Sequence, residues 1–276
     1  MTACAKRIVS VQNIVFSDSW RQFFAEFGLR SFDDFFEHSA TETIGKNKKR
    51  SVVTFSLGQG SQEKHFFMKR FFHPHFKDML FTWHSFGRFC SQAQCEWENA
   101  GLLLDNGIET YRPVCYGEKT RWHLESKSFI VTEKLQGQAL TDFVRQQWHH
   151  LQRRQKEKII AGLASFVRRI HALNISLPDL YVWHIFLKEN ADQREYDFAV
   201  IDLHRMSRNV TNRNIQIKNL ARLHHSMVDA YFDEGLKQLF IESYAADGWA
   251  GDVTALAARV KKQSQAVSAK RNPKPY

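Results

Sequence analysis

The chain has 276 residues, 43% of them hydrophobic and 25% charged, a composition typical of a globular protein large enough for one large domain or two lobes. Lys and Arg number 39 against 29 Asp and Glu, and the net charge of +10 favours an anionic partner: a nucleic acid, an anionic membrane or an anionic substrate. We expect no transmembrane helix, because no run of about 18 apolar residues occurs, and reduced thiols in a cytoplasmic protein, because the four cysteines lack the spacing of a zinc site.

The first half of the chain predicts β-strands with one prominent helix. Alternating apolar residues indicate the strands, and Asn106–Gly107 is a good helix stop, because both residues tolerate the left-handed conformation found at helix C-termini. In chain order, the predicted elements are a strand over residues 7–16, a helix over 17–37 with Ser17 or Asp18 as its cap, strands over 51–57 and 64–72, a helix from Cys95 to the Asn-Gly stop, and a buried strand within 128–137.

The second half of the chain is predicted to be mainly helical. Residues 156–173 place their apolar side chains on one face of a helix, and further helices follow from about residue 214. Two short strands are predicted around Ile185–Lys188 and Ala199–Ile201. The polar and basic stretch 261–276 is expected to be frayed.

A short connection near residues 134–139 separates the two halves. The order of elements therefore predicts an α+β fold with two lobes. A β-rich N-lobe with one key helix takes up residues 1–135, and a mostly helical C-lobe takes up residues 136–276.

Five polar residues stand out against apolar surroundings. Lys69 lies within the apolar strand "FFMKRFF", and Glu96 opens the following helix. Asp179 and Asp202 each lie beside a short strand of the second half, with His184 between them. A buried ammonium group needs a partner, which Glu96 can supply. Phosphoryl transfer requires a Lys on the phosphates, a Glu that orients it, a carboxylate on Mg²⁺ and an acid that accepts the hydroxyl proton.

Each of these residues also has a plain structural explanation. An Asp after a strand is more often a turn residue, a Lys in a strand more often lies at an edge with its amine in water, and a lone His is more often structural. The joint order and spacing favour catalysis. Protein kinases carry Asp and Asn in a D-x4-N loop, followed after a strand by a metal-binding Asp. Asp179 and His184 have that spacing, and Asp202 follows Asp179 after 23 residues.

Longer motifs extend this similarity from about Arg50 to about Asp229. They are "FFMKRFF", "CEWENAGLLLDNGIET", "FIVTEKLQG", "RRIHALNISLPDLYVWHIFL", "VIDLHR" and "IKNLARLHHSM". With these motifs the chain resembles the lipopolysaccharide kinases of the Kdo/heptose kinase (WaaP-like) family, within the protein-kinase-like fold. The combination of "DLYVWH" with "IDLHR" resembles the heptose kinases more than the Kdo kinases, which tend to have Asn where this chain has His184.

The resemblance implies a role for each matching residue. Glu98 is the weaker candidate for the partner of Lys69, because it lies two positions further round the helix than Glu96. The implied roles are Lys69 on the ATP phosphates, Glu96 as its partner, Thr132 as gatekeeper, the backbone C=O of Glu133 and N–H of Leu135 on adenine, Asp179 as catalytic base, His184 as a metal or phosphate ligand in the usual Asn position, and Asp202 on Mg²⁺.

The chain departs from the family pattern at three places. Leu177 and Pro178 precede the catalytic Asp, where the family often has His-Arg, and Asn219 stands where an Asp is expected. The phosphate-covering loop "IGKNKKRSV" has one glycine, Gly45, and four basic residues. Those basic side chains either hold phosphates by charge or form a solvated hairpin tip.

The resemblance implies transfer of the ATP γ-phosphate to a sugar, with a heptose of the lipopolysaccharide inner core as the expected acceptor. The expected partner is the lipid-linked core precursor, which a basic protein would meet peripherally on the cytoplasmic face of the inner membrane. Candidate contacts are the run 153–158 and three arginines, Arg205, Arg208 and Arg213. The sequence makes no prediction of oligomeric state.

Three alternatives stay open. A Kdo kinase and a protein Ser/Thr kinase share the same fold, although no APE-like segment follows Asp202 to form a peptide-binding activation segment. The third is a basic nucleic-acid-binding protein without catalysis, which would bind any duplex in a salt-dependent manner. No helix-turn-helix, RNP or zinc pattern occurs, so we expect no specific nucleic-acid partner.

Overall fold

A computed structural model describes the chain in ten stretches, namely residues 8–11, 13–17, 20–72, 82–83, 86–121, 124–190, 195–246, 248–270, 272–274 and 276. The chain forms two compact units. The first contains the described residues up to Leu102 together with Tyr111–Leu135, and the second contains Leu103–Thr110 together with Gln136–Tyr276. The division of residues 1–135 and 136–276 into separate domains stays a prediction.

The first unit is built on a β-sheet in which seven described strands are antiparallel neighbours in the order β1-β2-β6-β7-β5-β4-β3. The strands are β1 (Ile8–Val11), β2 (Ile14–Ser17), β3 (Glu42–Lys46), β4 (Arg50–Leu57), β5 (Lys64–Phe72), β6 (Pro113–Arg121) and β7 (Leu124–Glu133). The strands predicted over 51–57 and 64–72 are confirmed. The strand predicted over 7–16 is instead a hairpin, which turns at Asn13 with φ of 65°.

Three helices of the described residues belong wholly or mainly to this unit: α1 (Trp20–Glu26), α2 (Phe32–Phe36) and α3 (Gln92–Asp105). The single helix predicted over 17–37 is wrong. Gly28 adopts φ of 79° after α1, which ends the helix, and Ser31 starts α2 with a capping box shared with Asp34. Of the two predicted caps, Ser17 lies in β2 and Asp18 lies outside the described residues.

The two faces of this sheet carry different side chains. Because successive residues of a strand point to opposite faces, Phe66 and Met68 of β5 enter an aromatic core with α1 and α2, whereas Lys69 and Phe71 point to the face covered by α3. The rings in the aromatic core are closely packed, with centroids 5.2 Å apart for Phe24 and Phe66. The alternation of side chains along β5 therefore places Lys69 on the face of the sheet that α3 covers.

The second unit is mainly helical. Its described helices are α4 (Leu140–Gln147), α5 (Arg153–Ala172), α6 (Arg213–Ser226), α7 (Glu234–Ala246) and α8 (Val253–Ser268). A three-stranded antiparallel sheet has the order β10-β9-β8. Its strands are β8 (Gln138–Ala139), β9 (Ile185–Asn190) and β10 (Glu195–Val200). The predicted amphipathic helix corresponds to α5, whose apolar face is buried. Among the described helices, none combines the length and apolar character needed to cross a membrane.

The C-terminal stretch 261–276 is ordered over most of its described residues, so the prediction of a frayed tail is wrong. Helix α8 continues to Ser268 because Leu256, Val260 and Ser264 share one buried face at four-residue spacing, while the lysines take the outer face. Further on, the hydroxyl of Tyr276 donates to the backbone oxygen of Ser226 at 2.5 Å.

The packing at Gly117 in β6 gives a test of the first unit. A Cβ atom at this position would lie 2.5 Å from Cε1 of Phe129, so Gly117→Ala should lower the free energy of unfolding by about 1–3 kcal/mol through overpacking. Gly101→Ala in α3 is the matched control, because its Cβ would meet nothing within 4 Å and Ala is a better helix former. Urea unfolding of both variants checks the pair, and equal stability would contradict the described packing of β6.

Candidate active site

Lys69 and Glu96 form a largely buried ion pair in the first unit. Nζ of Lys69 lies 2.6 Å from Oε1 of Glu96, and the two side chains are 15% and 2% exposed. The other carboxylate oxygen, Oε2, accepts a hydrogen bond from the hydroxyl of Tyr111 at 2.8 Å. Each oxygen of a buried carboxylate therefore has a donor, which offsets the cost of removing the charge from water.

The position of Glu96 follows from how α3 is anchored. The hydroxyl of Ser91 accepts from the backbone N–H of Gln94 at 3.1 Å, as a helix N-cap does. Ala93 and Trp97 then pack on the sheet in the small core of Phe71, Tyr116 and Ile130.

Glu98, the weaker sequence candidate, contacts Arg88 and Gln94 rather than Lys69. The helix thus presents Glu96 to the sheet and Glu98 away from Lys69.

The residues expected to read adenine lie at the end of β7. Thr132 is buried and lies opposite Phe67 of β5. The N–H of Glu133 donates to the carbonyl of Arg112 at 3.0 Å, and the next N–H, of Lys134, donates to the carbonyl of His65 at 3.2 Å. These two bonds tie the end of β7 to the residue before β6 and to β5, just before Leu135.

The predicted phosphate-covering loop is a tight hairpin between β3 and β4. The side-chain oxygen of Asn47 accepts from the backbone N–H groups of Lys49 at 2.8 Å and Arg50 at 2.9 Å, which fixes the turn. The side chains of Lys46 and Lys48 are exposed. The tip therefore offers two ammonium groups to solvent or to an anion.

His184 and Asp202 are brought together by the β9–β10 hairpin in the second unit. The register pairs Ile185 with Val200, and the N–H of Ile201 donates to the carbonyl of His184 at 2.9 Å. His184 immediately precedes β9 and Asp202 follows β10, so an antiparallel pairing places both side chains at the same end of the hairpin. Nε2 of His184 lies 3.7 Å from Oδ2 of Asp202.

The tautomer of His184 can be assigned from its other nitrogen. Nδ1 lies 2.7 Å from the backbone oxygen of Asp179, and a carbonyl oxygen only accepts, so Nδ1 carries the hydrogen. In the neutral ring Nε2 then has a lone pair, directed toward a carboxylate oxygen of Asp202. A nitrogen lone pair and a carboxylate oxygen at this separation fit two ligands of one divalent cation, with the backbone carbonyl orienting the imidazole.

His204 was missed in the sequence as a site residue, although it belongs to the quoted "IDLHR" motif. Its Nδ1 lies 2.9 Å from Oδ1 of Asp202, and both side chains are largely buried. His204 therefore occupies one carboxylate oxygen and leaves Oδ2 directed toward His184. Asp202 adopts φ of 65°, a left-handed conformation that costs a non-glycine residue roughly 1–3 kcal/mol and is common where function depends on geometry.

Asp179 lies on the same loop as His184. Its carboxylate is 22% exposed and lies 3.6 Å from Nη1 of Arg205, whose side chain is 57% exposed. Arg213, another sequence candidate for substrate contact, donates instead to the carbonyl of Ala250 at 2.8 Å and lies over the ring of Trp249. Of these two arginines, Arg205 is the one beside the expected base.

Asn219 anchors the chain before Asp179, where Leu177 and Pro178 replace the usual His-Arg. Its Oδ1 accepts from the backbone N–H of Leu177 at 2.9 Å and from the hydroxyl of Ser176 at 3.0 Å. Nε2 of His171 lies 3.3 Å from the same oxygen. A neutral amide thus serves as the acceptor at the position where an acid was expected.

His171 is fully buried beneath this loop. Its Nδ1 lies 2.8 Å from the hydroxyl of Tyr244, so a neutral ring that donates from Nε2 to Asn219 can accept at Nδ1 from Tyr244. Burial lowers the pKa of His171 to about 4. The imidazole is therefore neutral at physiological pH.

A comparison with solved structures identifies the class of fold. The chain is similar to a structure of WaaP in complex with acyl carrier protein, with a TM-score of 0.69 and 21% sequence identity, over 92% of this chain and 98% of that chain. At this identity the likeness shows the fold. The predicted α+β, protein-kinase-like fold is thereby confirmed, with a β-sheet in the first unit and mainly helices in the second.

The family is shown by the sequence. The model of the lipopolysaccharide kinase (Kdo/WaaP) family matches residues 34–244, and the chain belongs to this family. The lipopolysaccharide core heptose(I) kinase WaaP of Pseudomonas aeruginosa is 30% identical over 157 residues, covering 55% of this chain and 59% of the relative. The Escherichia coli heptose(I) kinase WaaP is 32% identical over 142 residues, covering 50% and 54%. The chain thus spans little more than half the length of these curated relatives.

The buried imidazole of His171 predicts how stability depends on pH. The pKa is about 4 in the folded chain against a usual value of 6.5, so the unfolded state binds more protons between these values. Unfolding free energy should therefore fall as pH drops below 6.5, with a contribution from His171 on the order of 2 kcal/mol between pH 7 and 5. We expect His171→Gln to flatten this dependence in urea unfolding.

The exposed His150 provides the matched control. His150→Gln should keep the pH dependence of the wild type. If His171→Gln and His150→Gln lose stability in parallel on acidification, His171 is not buried as a neutral ring.

Proposed function

We propose that the chain transfers the γ-phosphate of ATP to a sugar hydroxyl of the lipopolysaccharide inner core, with a heptose as acceptor. The observation that carries the proposal is the hairpin that sets Asp202 beside His184, itself bonded to Asp179, in a member of a kinase family. These are the groups that phosphoryl transfer needs: a metal ligand and an acid near the acceptor hydroxyl.

The nucleotide is assigned to the first unit. Lys69 would contact the ATP phosphates, because its ammonium is held by Glu96 while its side chain remains 15% exposed. A Lys fixed by a buried carboxylate is oriented before ATP arrives, so little ordering is needed on binding. The backbone C=O of Glu133 and N–H of Leu135 would read the adenine base, behind the buried Thr132.

The metal and the base are assigned to the second unit. Oδ2 of Asp202 and Nε2 of His184 would hold Mg²⁺, while His204 keeps Oδ1 occupied. When bound, the cation neutralises charge on the transferring phosphoryl group. Asp179 would accept the proton of the attacking hydroxyl, beside the guanidinium of Arg205 at 3.6 Å.

The heptose assignment is supported by the curated relatives, which are heptose(I) kinases. A Kdo kinase is the alternative that the family model includes, and a protein Ser/Thr kinase is the alternative from the wider fold. A nucleic-acid-binding protein without catalysis is disfavoured, because it has no need for the Lys69–Glu96 pair or for the Asp202–His184 arrangement.

The setting proposed is the cytoplasmic face of the inner membrane, where the lipid-linked core precursor is anionic. Exposed Arg154 and Lys158 on α5 would favour such a surface, whereas Arg153 is paired with Glu157 and Asp233. A complex with an acyl carrier protein is proposed for this chain by likeness to the solved WaaP complex.

Transfer of radiolabelled phosphate from ATP to purified core oligosaccharide tests the proposed function and the base together. The wild type should label the oligosaccharide, and Asp179→Asn should lower kcat by about 10²–10⁴-fold, the usual contribution of a general base. Affinity for ATP should stay unchanged, because the base acts on the acceptor.

The exposed Asp197 of β10 serves as the control, since Asp197→Asn removes a carboxylate of the same unit. Transfer by Asp197→Asn should equal that of the wild type. Full activity in Asp179→Asn would remove Asp179 as the base, and mass spectrometry of the labelled product identifies the phosphorylated sugar.

The metal ligands are tested by nucleotide binding rather than by turnover. Asp202→Asn should abolish the dependence of ATP affinity on Mg²⁺, because the amide has no charge to hold the cation. His184→Asn should have a smaller effect, because Asn is the metal ligand at this spacing in protein kinases. Calorimetry with and without Mg²⁺ measures both. An unchanged Mg²⁺ dependence in Asp202→Asn would place the metal elsewhere.

A further inference from the structure

Two aromatic rings lie on the loop between Asp179 and His184. The rings of Tyr181 and Trp183 are stacked, with centroids 4.5 Å apart and an angle of 11° between their planes. Leu180 and Val182 alternate with them and are buried, so the loop directs its aliphatic side chains inward. The two rings remain half-buried at the surface of the second unit.

The aromatic pair is held rigidly. The N–H of Val182, between the rings, donates to the hydroxyl of Ser226 at 2.9 Å. The imidazole of His184 meets both rings edge-on, with centroids 6.1 Å from each. A ring surface fixed in this way loses little side-chain freedom when it binds a ligand, which favours binding.

Two cations flank this loop. Nζ of Lys274 lies 5.1 Å from the ring centroid of Trp183, and the Lys274 side chain is exposed. The segment is fixed by Tyr276, whose hydroxyl donates to the carbonyl of Ser226 at 2.5 Å. The second cation, Arg205, lies 3.6 Å from Asp179 and is 57% exposed. Both positive groups are exposed and can pair with an anion that binds at this loop.

We propose that the stacked pair of Tyr181 and Trp183 forms the platform on which the acceptor sugar packs. The exposed Lys274 leaves the face of Trp183 and, with Arg205, binds an anionic substituent of that sugar or of its neighbour. One face of a pyranose ring carries C–H groups, which pack on aromatic rings, while its hydroxyls stay available for hydrogen bonds. Carboxylate or phosphate groups on the ligand would pair with the two cations. This assignment rests on the proposed function, since it places the acceptor beside the proposed base.

The platform is tested by steady-state kinetics with deacylated core oligosaccharide as the acceptor. Trp183→Leu should raise the KM for the oligosaccharide by about tenfold, a typical effect of removing one contact surface from a binding site, and should leave the KM for ATP unchanged. Trp183→Tyr keeps a ring and should restore most of the affinity. Lys274→Gln should weaken binding and reduce its dependence on salt, because a charged contact is lost.

Trp249 offers a matched control, because it is also a half-buried Trp of this unit with a cation, Arg213, over its ring at 5.3 Å. Trp249→Leu should leave the oligosaccharide KM unchanged. Circular dichroism and ATP binding establish that each variant is folded.

The outcomes separate the two proposals. If the wild type phosphorylates the oligosaccharide and Trp183→Leu keeps the wild-type KM, or if Trp183→Tyr restores nothing, the platform is wrong and the proposed function stands. A wild type that neither binds nor phosphorylates the oligosaccharide overturns the proposed function and the platform with it. A raised KM in Trp183→Leu alone, rescued by Trp183→Tyr, supports the platform.

Discussion

The hydrogen bond from Nδ1 of His184 to the carbonyl of Asp179 is the contact on which the proposed site of the second unit depends. It bends the loop back on itself, so that residues five apart in sequence are tied together. It also identifies Nδ1 as a nitrogen that donates, and it turns Nε2 toward Asp202. The loop and the β9–β10 hairpin therefore depend on each other: the hairpin places His184, and His184 orients the segment that carries Asp179. An Asn at position 184 would offer its carbonyl oxygen to a metal and an amide N–H in place of the Nδ1–H donor.

Each unit uses a buried polar group to fix a segment that carries residues of the proposed site. In the first unit the carboxylate of Glu96 receives Lys69 and Tyr111, and in the second the amide oxygen of Asn219 receives Leu177 and Ser176. Such groups contribute little net stability, because hydrogen bonds to water are lost when they are buried. They do specify one arrangement, because any other packing leaves several donors unsatisfied. The neutral Asn219 suits its site, because a charged acid there would lose its hydration on burial. The neighbouring imidazole of His171 is buried as well, and burial has lowered its pKa.

Local sequence patterns predicted the elements that are regular over several residues. Alternation of apolar residues predicted strands β4 and β5, and helical periodicity predicted α5. A short-range motif pointed to Asp179, His184 and Asp202. The predicted helix over 17–37 failed because one left-handed glycine outweighs helical spacing on either side of it. Tyr111, His204 and the donors to Asn219 were missed for a different reason. Their roles depend on partners that the fold supplies, such as Leu177, which is 42 residues from Asn219. A residue's own neighbours in sequence carry no information about such contacts.

The net charge of +10 favours an anionic partner, but the placement of individual charges decides where it would bind. Arg213 donates to a backbone carbonyl and covers Trp249, and Arg153 is shared between Glu157 and Asp233. These two arginines already have partners within the helical unit. Arg205 differs, because it is more than half exposed and its described ion pair, with Asp179, is long at 3.6 Å. A long, exposed pair contributes little to stability. Under the proposed function, the acceptor hydroxyl lies beside Asp179. An anionic group on the acceptor could then pair with Arg205 without displacing any contact on which the fold depends.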